Sequence, residues 1–204
     1  MKTYRFAYGS GTVEFPLEEK NIIGELHGNV VEPISDIRRE LWASLDAPID
    51  SAPLCRRVTP GSTVALVVSD MSRFWMRQDL VVPHLVDYLT QRCGVGESDI
   101  TIVIANGTHT GGDEAELRTL VTDAVYDRIT VENHNCDSDD LVYLGTTPHG
   151  TPVSINRTAA LADMVICLGA ATHHVMAGFG GGRKSILPGI SSRETIFHNH
   201  AFSL

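Results

Sequence analysis

The sequence predicts an α/β fold: a Rossmann-like layered domain on a mostly parallel sheet, preceded by a small N-terminal β-hairpin. Three observations carry this expectation. Continuous β-branched runs such as "STVALVVSD" from Ser62 and "DITIVIANG" from Asp99 read as strands buried on both faces. Stretches with helical spacing alternate with them, the order that a covered parallel sheet requires. Polar, glycine-containing clusters follow the ends of these strands, where open α/β sheets bind ligands.

In chain order, "YRFAYGSGTVEF" alternates on either side of Gly9-Ser10-Gly11, a hairpin signal. A linker-like stretch leads to "SDIRRELWASL", a helix starting at Ser35 with an acid in its first turn. After the Ser62 strand, "LVVPHLVDYLTQRCG" has helical spacing, with Pro83 near its first turn and Gly94 as its stop. "DITIVIANG" is the second buried strand, "GGDEAELRTLV" a helix with acids in its first turn, and "RITVENHN" a third strand. "LVYLGTTPHGTPVSIN" reads as two short strands around Pro148-His149-Gly150, "RTAALA" as a short helix, and "DMVICLGA" as another buried strand. Residues 1–34 are expected to form the hairpin and linker and residues 62–204 the α/β core.

Composition narrows the function. Sixteen Lys and Arg against 25 Asp and Glu give a net charge of −9, which argues against sequence-independent nucleic-acid binding. A local loop can still hold a small phosphorylated ligand. Cys55, Cys93, Cys136 and Cys167 form no CxxC pair. They read as free thiols in a reducing compartment rather than a disulfide framework or zinc site. The start of the chain has no signal-peptide pattern and no stretch reaches membrane-spanning length, so a cytoplasmic protein without membrane partners is expected.

Three strands deliver unusual residues to one sheet edge. The first leads to Asp70 and Arg73, the second to His109, and "DMVICLGA" to "THHVMAGFGGGRKSILPGI" at Thr172–Ile190. Taken singly, Asp70 reads as a helix cap, Arg73 as a surface residue and His109 as a turn residue. Their common position favours one shared site.

The glycine loop is not a P-loop, since Arg183 stands where glycine should precede the lysine. It is not the dinucleotide fingerprint either, since Gly178 and Gly180 are followed by Arg183 at the third position. Leu187-Pro188-Gly189 is expected to keep it from opening straight into a helix. Its glycines, Gly178, Gly180, Gly181 and Gly182, allow close backbone approach to a ligand. Arg183 can grip an anion with two prongs, and Lys184 can supply charge or a nucleophilic amine. His173 and His174 are expected on irregular chain, with one serving the site. "SSRE" reads as a capping box with Ser191 at the N-cap and Glu194 at N3. In the helix that follows, His198 and His200 point roughly 200° apart, and periodicity does not choose between them. His27, His84, His134 and His149 have no supporting context and read as surface or structural residues.

The stretch H-x-x-A-G-F-x-G-G-R-K-S-x-L-P-G-I from His174 to Ile190 resembles the cofactor-attachment loop of nickel-pincer-nucleotide-dependent lactate racemases. Ser69–Arg73, Gly107–His109 and Asn199-His200 resemble shorter motifs of that family in the same order. The resemblance implies a pyridinium mononucleotide attached to Lys184, with its nickel completed by His200, and a cofactor loop including Arg183 and Ser185. It implies His109 and His174 as acid/base groups, with Arg73 and Asp70 as active-site companions. The implied reaction moves a hydride between a 2-hydroxy acid and the cofactor, making the full-length protein an isomerase.

His109 is followed by Thr110-Gly111-Gly112 where the family commonly has Arg-Pro, so substrate preference is expected to differ. Family members are roughly twice this length. The chain is therefore expected to be an N-terminal domain whose partners are its own C-terminal domain and a small 2-hydroxy acid, and inactive alone. A homo-oligomer is left open. Two other classes compete: a non-catalytic module binding a phosphorylated ligand, and a histidine-metal hydrolase using His109, His174 and His200, which lacks an HExxH motif.

Overall fold

The computed structural model describes residues 1–201; the last three positions of the expected domain lie outside the described residues. The chain divides into two compact units, Met1–Ile34 and Ser35–Leu204. In the first, β1 (Lys2–Tyr8) and β2 (Gly11–Leu17) pair antiparallel from Lys2↔Leu17 to Tyr8↔Gly11. Gly9 turns the chain with φ +58°, a conformation glycine adopts without strain. The cross-strand pairs Tyr4–Phe15 and Phe6–Val13 share one face.

The second unit opens with α1 (Ile37–Asp46), capped by the Asp36 carboxylate accepting from the Arg39 amide, and α2 (Leu54–Arg57). The strand β3 (Val64–Ser69) follows, then α3 (Val82–Asp87), which widens into a π-helical turn over Tyr88–Arg92. Next come β4 (Ile100–Ala105), α4 (Glu114–Val121), α5 (Asp123–Tyr126) and β5 (Thr130–Asn133). The hairpin of β6 (Leu141–Thr146) and β7 (Pro152–Asn156) and the short α6 (Arg157–Leu161) lead to β8 (Met164–Cys167).

The main sheet is entirely parallel, in the order β5-β4-β3-β8. Its first strand in sequence therefore lies between the second and the fourth. The connections reverse direction between β3 and β8, the kind of switch point where such sheets open a crevice. Side-chain alternation splits the core. Leu66, Val68, Ile102 and Ile104 pack with Leu85, Val86, Leu89 and Leu120 on one face, and Ala65, Val67 and Val103 pack with Ala159 and Ile190 on the other. No helix among the described residues is long and apolar enough to cross a membrane.

One expectation about the cysteines is overturned. Cys55 and Cys93 form a disulfide joining α2 to the end of the π-helical turn, while Cys136 and Cys167 are free. The two partners are 38 residues apart in sequence and meet, with Cα atoms 4.7 Å apart, only because α2 and the helix after β3 are neighbours. The inference from free thiols to a reducing compartment therefore fails for this pair.

His134 is structural. It is buried, and its Nε2 bonds the Ser191 carbonyl at 2.9 Å. Burial holds its ring below the usual histidine range, against smaller upward pulls from the Ser191 bond and Glu132. The unfolded chain then takes up a proton at a pH where the folded chain resists it. Stability is full above the unfolded value and falls as pH drops through it toward the folded one. The urea midpoint is expected to be lower at about pH 5 than at about pH 7.5. The same fall in His134→Gln would assign the effect to another group.

Candidate functional site

A cavity of about 430 Å³ lies at the carboxyl edge of the sheet, lined among others by Asp70, Arg73, His109, His174, Lys184 and His200. They arrive from four segments of the chain. Asp70 directly follows β3 and precedes a 3-10 turn over Met71–Met76 that carries Arg73. The Asp70 side chain does not cap that turn. Its Oδ1 accepts from the Ser72 hydroxyl at 2.6 Å, and its Oδ2 lies 2.5 Å from Nδ1 of His109. The Arg73 guanidinium donates to the Ser72 hydroxyl at 3.0 Å, so Ser72 joins the acid to the arginine.

His109 is placed by the loop after β4. Gly107 takes φ +56°, and its amide donates to the Gly189 carbonyl at 2.9 Å. The His109 amide donates to the Asn106 carbonyl at 2.9 Å.

Three buried or half-buried polar residues that sequence reasoning did not single out hold these loops. Gln78 bonds both backbone groups of Ser69, at 3.1 and 2.8 Å, and so fixes the end of β3. Asn106 donates to the Asn133 side chain at 3.1 Å and to the His134 carbonyl at 3.0 Å. Asn133 bonds both backbone groups of Gly112. Asn106 and Asn133 stand at or just past the ends of β4 and β5, so the same strand-end rule that picked out Asp70 and His109 points to them.

The loop after β8 is more ordered than expected. His173–His174 form a short strand, β9, paired antiparallel with β10 (Gly178–Phe179). A tight turn at Gly178 (φ +75°) makes this local pairing possible. Contrary to expectation, the glycine run does open straight into a helix, α7 (Arg183–Ile186), because Gly182 turns the chain with φ +49° just before it.

Some of these glycines serve backbone packing. A Cβ at Gly169 would meet the Gly181 Cα at 2.9 Å, and one at Gly189 would meet the Ser185 carbonyl oxygen at 2.1 Å. Gly189→Ala is accordingly expected to lower stability by about 1–3 kcal/mol. Because Gly189 also holds Gly107, the change should disturb the His109 loop. An unchanged urea midpoint would contradict the packing.

Gly180, Gly181, Lys184 and Ser185 line the cavity; Gly178, Gly182 and Arg183 are not in its wall. Burial, and then the nearby Arg73 charge, lower the Lys184 pKa against the opposing pull of Asp70. The His174 pKa is lowered too, by desolvation first and then by Lys184, Arg73 and His200.

The last helix, α8 (Arg193–His200), is capped one residue later than the sequence suggested. The Ser192 hydroxyl accepts from the Thr195 amide, while Ser191 is buried and donates to the Ile186 carbonyl. The helix presents His200 to the cavity, whereas His198 bonds the Thr151 hydroxyl. Nδ1 of His200 is buried with no hydrogen-bond partner.

Among the described residues no three His, Cys, Asp or Glu side chains are grouped to hold a metal. The three-histidine hydrolase reading needs such a group and finds no support among the described residues. The residues fit a metal that brings most of its donors with it and takes one imidazole from the protein.

Fold and cavity together give a parallel α/β domain with a cavity at its switch point, lined by a half-buried amine, two carboxyl-edge histidines, an acid and an arginine. The chain belongs to the lactate racemase N-terminal domain family, whose profile it matches over residues 8–204. It is 29% identical over 197 residues to a lactate racemase of Lactiplantibacillus plantarum, covering 95% of this chain and 46% of that protein. It is also 29% identical over 203 residues to a lactate racemase of Thermoanaerobacterium thermosaccharolyticum, covering 98% and 47%. The chain therefore spans about half the length of these curated relatives. Its structure matches the lactate racemase apoprotein from T. thermosaccharolyticum with a TM-score of 0.78 at 26% identity, over 98% of this chain and 46% of that one. A Thermotoga maritima protein shares the fold, with a TM-score of 0.63 at 22% identity over 82% of this chain and 40% of the other.

Proposed function

We propose that this chain is the cofactor-binding part of a 2-hydroxy-acid racemase or epimerase that uses a nickel-pincer nucleotide. The observation that carries this reading is the half-buried Lys184, of lowered basicity, in one cavity with His109, His174, Arg73 and His200. When bound, such a group supplies a hydride acceptor. Lys184 would anchor it, since a lowered pKa leaves more of the neutral, nucleophilic amine. The half-buried His200, whose Nδ1 has no hydrogen-bond partner, would give the single protein ligand to its metal; imidazole suits nickel better than a hard cation.

Arg73 would pair with the carboxylate of a 2-hydroxy acid, where a guanidinium fits two oxygens. His109, oriented by Asp70, would take the hydroxyl proton as the carbon–hydrogen bond breaks, and the carboxylate would stabilise the imidazolium formed. His174 would serve the substrate oxygen from another wall of the cavity. Turnover also needs water excluded and the substrate held. We assign those tasks to the remainder of a longer protein, in keeping with the half-length match.

Chiral chromatography tests the reaction. The cofactor-loaded protein joined to that second part should convert a single lactate enantiomer into the mixture, and the loaded 204-residue chain alone should not. Turnover by the chain alone at the same rate would remove the need for a closing domain.

A further inference from the structure

The first 34 residues hold an amphipathic hairpin whose apolar face is exposed. Directly opposed residues of an antiparallel pair share a face, and faces alternate along each strand. The register therefore gathers Tyr4, Phe6 and Tyr8 with Val13, Phe15 and Leu17 on one face. Thr3, Arg5, Thr12 and Glu14 stand on the other, where the Arg5 guanidinium donates to Glu14 at 2.7 Å. Apolar residues on one face and polar ones on the other are the pattern of a sheet with one side packed and one in water. Phe6 is nevertheless 58% exposed, Val13 46% and Phe15 53%.

The stretch that follows repeats the mismatch. After a 3-10 turn at Glu19–Asn21, residues 22–34 form no regular structure. Ile23, Leu26 and Val30 in this stretch stand fully or almost fully in solvent. Glu25 ties it to the hairpin, accepting from the Tyr4 hydroxyl and pairing with the Lys2 ammonium. Among the described residues of Met1–Ile34 none is buried, and only Tyr4, Leu17 and Ile22 are half-buried. A two-stranded hairpin is at best marginal alone in water, and exposed apolar surface this continuous marks a contact.

We propose that Met1–Ile34 is a docking arm whose apolar hairpin face packs on an apolar surface of the second half of the longer protein. This rests on the proposed function only in taking the chain as part of a longer protein. The chain is matched over 95% and 98% of its own length but covers only 46% and 47% of its two curated relatives. A partner of similar size, carried on the same chain, is what remains to cover the face. Tethering makes that docking intramolecular, so a small apolar face suffices. A second copy fits less well, since a symmetric pair needs a self-complementary patch. Residues 22–34 carry Glu25 and Glu32 and no Lys or Arg, so two copies meeting along this stretch would set like charges together.

Hydrogen–deuterium exchange read by mass spectrometry compares the 204-residue chain with the longer protein, both without cofactor. The β1 and β2 amides should exchange roughly 100-fold or more slowly in the longer protein, while the β3 and β4 amides keep the same protection in both. Two double variants then ask which face docks. Phe6→Glu with Phe15→Glu charges the apolar face, and Thr3→Glu with Thr12→Glu charges the other. All four positions are exposed in the shorter chain, so neither double variant should move its urea midpoint. In the longer protein the Phe pair should abolish the slowing, and the Thr pair should keep it.

Equal exchange of the hairpin in the two lengths, or equal effects of the two double variants, overturns the proposal. So does a concentration-dependent dimer of the 204-residue chain, seen by sedimentation, in which the hairpin is already protected; that result would give the face to a second copy. Cofactor and turnover enter none of these readings. A protein that never takes up the nucleotide but shows the slowed hairpin would strike the racemase reading alone. A nucleotide adduct on a protein whose hairpin exchanges freely at both lengths would strike the docking arm alone.

Discussion

Lys184→Ala, in protein co-produced with the enzymes that make the nucleotide, should show no covalent mass adduct at all. Lys184 is the amine in the cavity wall, half-buried and lowered in basicity by burial and Arg73. Alanine offers no nucleophile, so the effect is all-or-none rather than graded. Lys184→Arg is the matching control: it keeps the charge, but a guanidinium that stays protonated forms no such link. Intact-mass spectrometry of the unmutated chain and both variants reads the result. An adduct persisting in Lys184→Ala would mean that another group carries the attachment.

His109→Ala should separate chemistry from anchoring. The adduct should remain, because the ring lies on the loop after β4 and not on the attachment loop. Turnover by the loaded, full-length protein should fall by roughly 10²- to 10⁴-fold, the usual worth of a positioned acid/base group. Asp70→Asn should fall less, since the ring remains but loses the carboxylate 2.5 Å from its Nδ1. Asn can still accept from Nδ1–H, but it does not balance an imidazolium. The difference between the two variants measures how much the carboxylate adds beyond orientation. A His109→Ala protein that racemises at the unmutated rate while carrying the adduct would exclude His109 from proton transfer.

The two central strands of the main sheet, β3 and β4, were legible because they are continuous β-branched runs, and burial on both faces leaves no other use for "VALVV" or "ITIVI". The convergence of Asp70, His109 and the glycine loop followed from one rule about strand ends. The switch between β3 and β8 was not legible, since strand order depends on which edge each crossover chooses.

Where the sequence reading slipped, local signals met tertiary ones. The capping box could be read from Ser191 or Ser192, and Ser191 was taken from the cap by its bond to the Ile186 carbonyl. Leu187-Pro188-Gly189 suggested that no helix follows the glycines, but the left-handed Gly182 allows a single turn before that break. The Cys55–Cys93 pair has no spacing motif and is defined by packing alone. Gln78 and Asn106 gave no periodic signal, being single polar residues whose partners are backbone groups of the very loops they hold.

The central claim is that this cavity holds a lysine-linked nickel nucleotide. Intact mass and metal content, measured together on the unmutated chain from cells that make the cofactor, test it most directly. The account predicts a covalent adduct accompanied by nickel, with the metal retained less well in His200→Ala while the adduct persists. Unmodified, metal-free protein from such cells would contradict it and favour a non-catalytic module for a phosphorylated ligand.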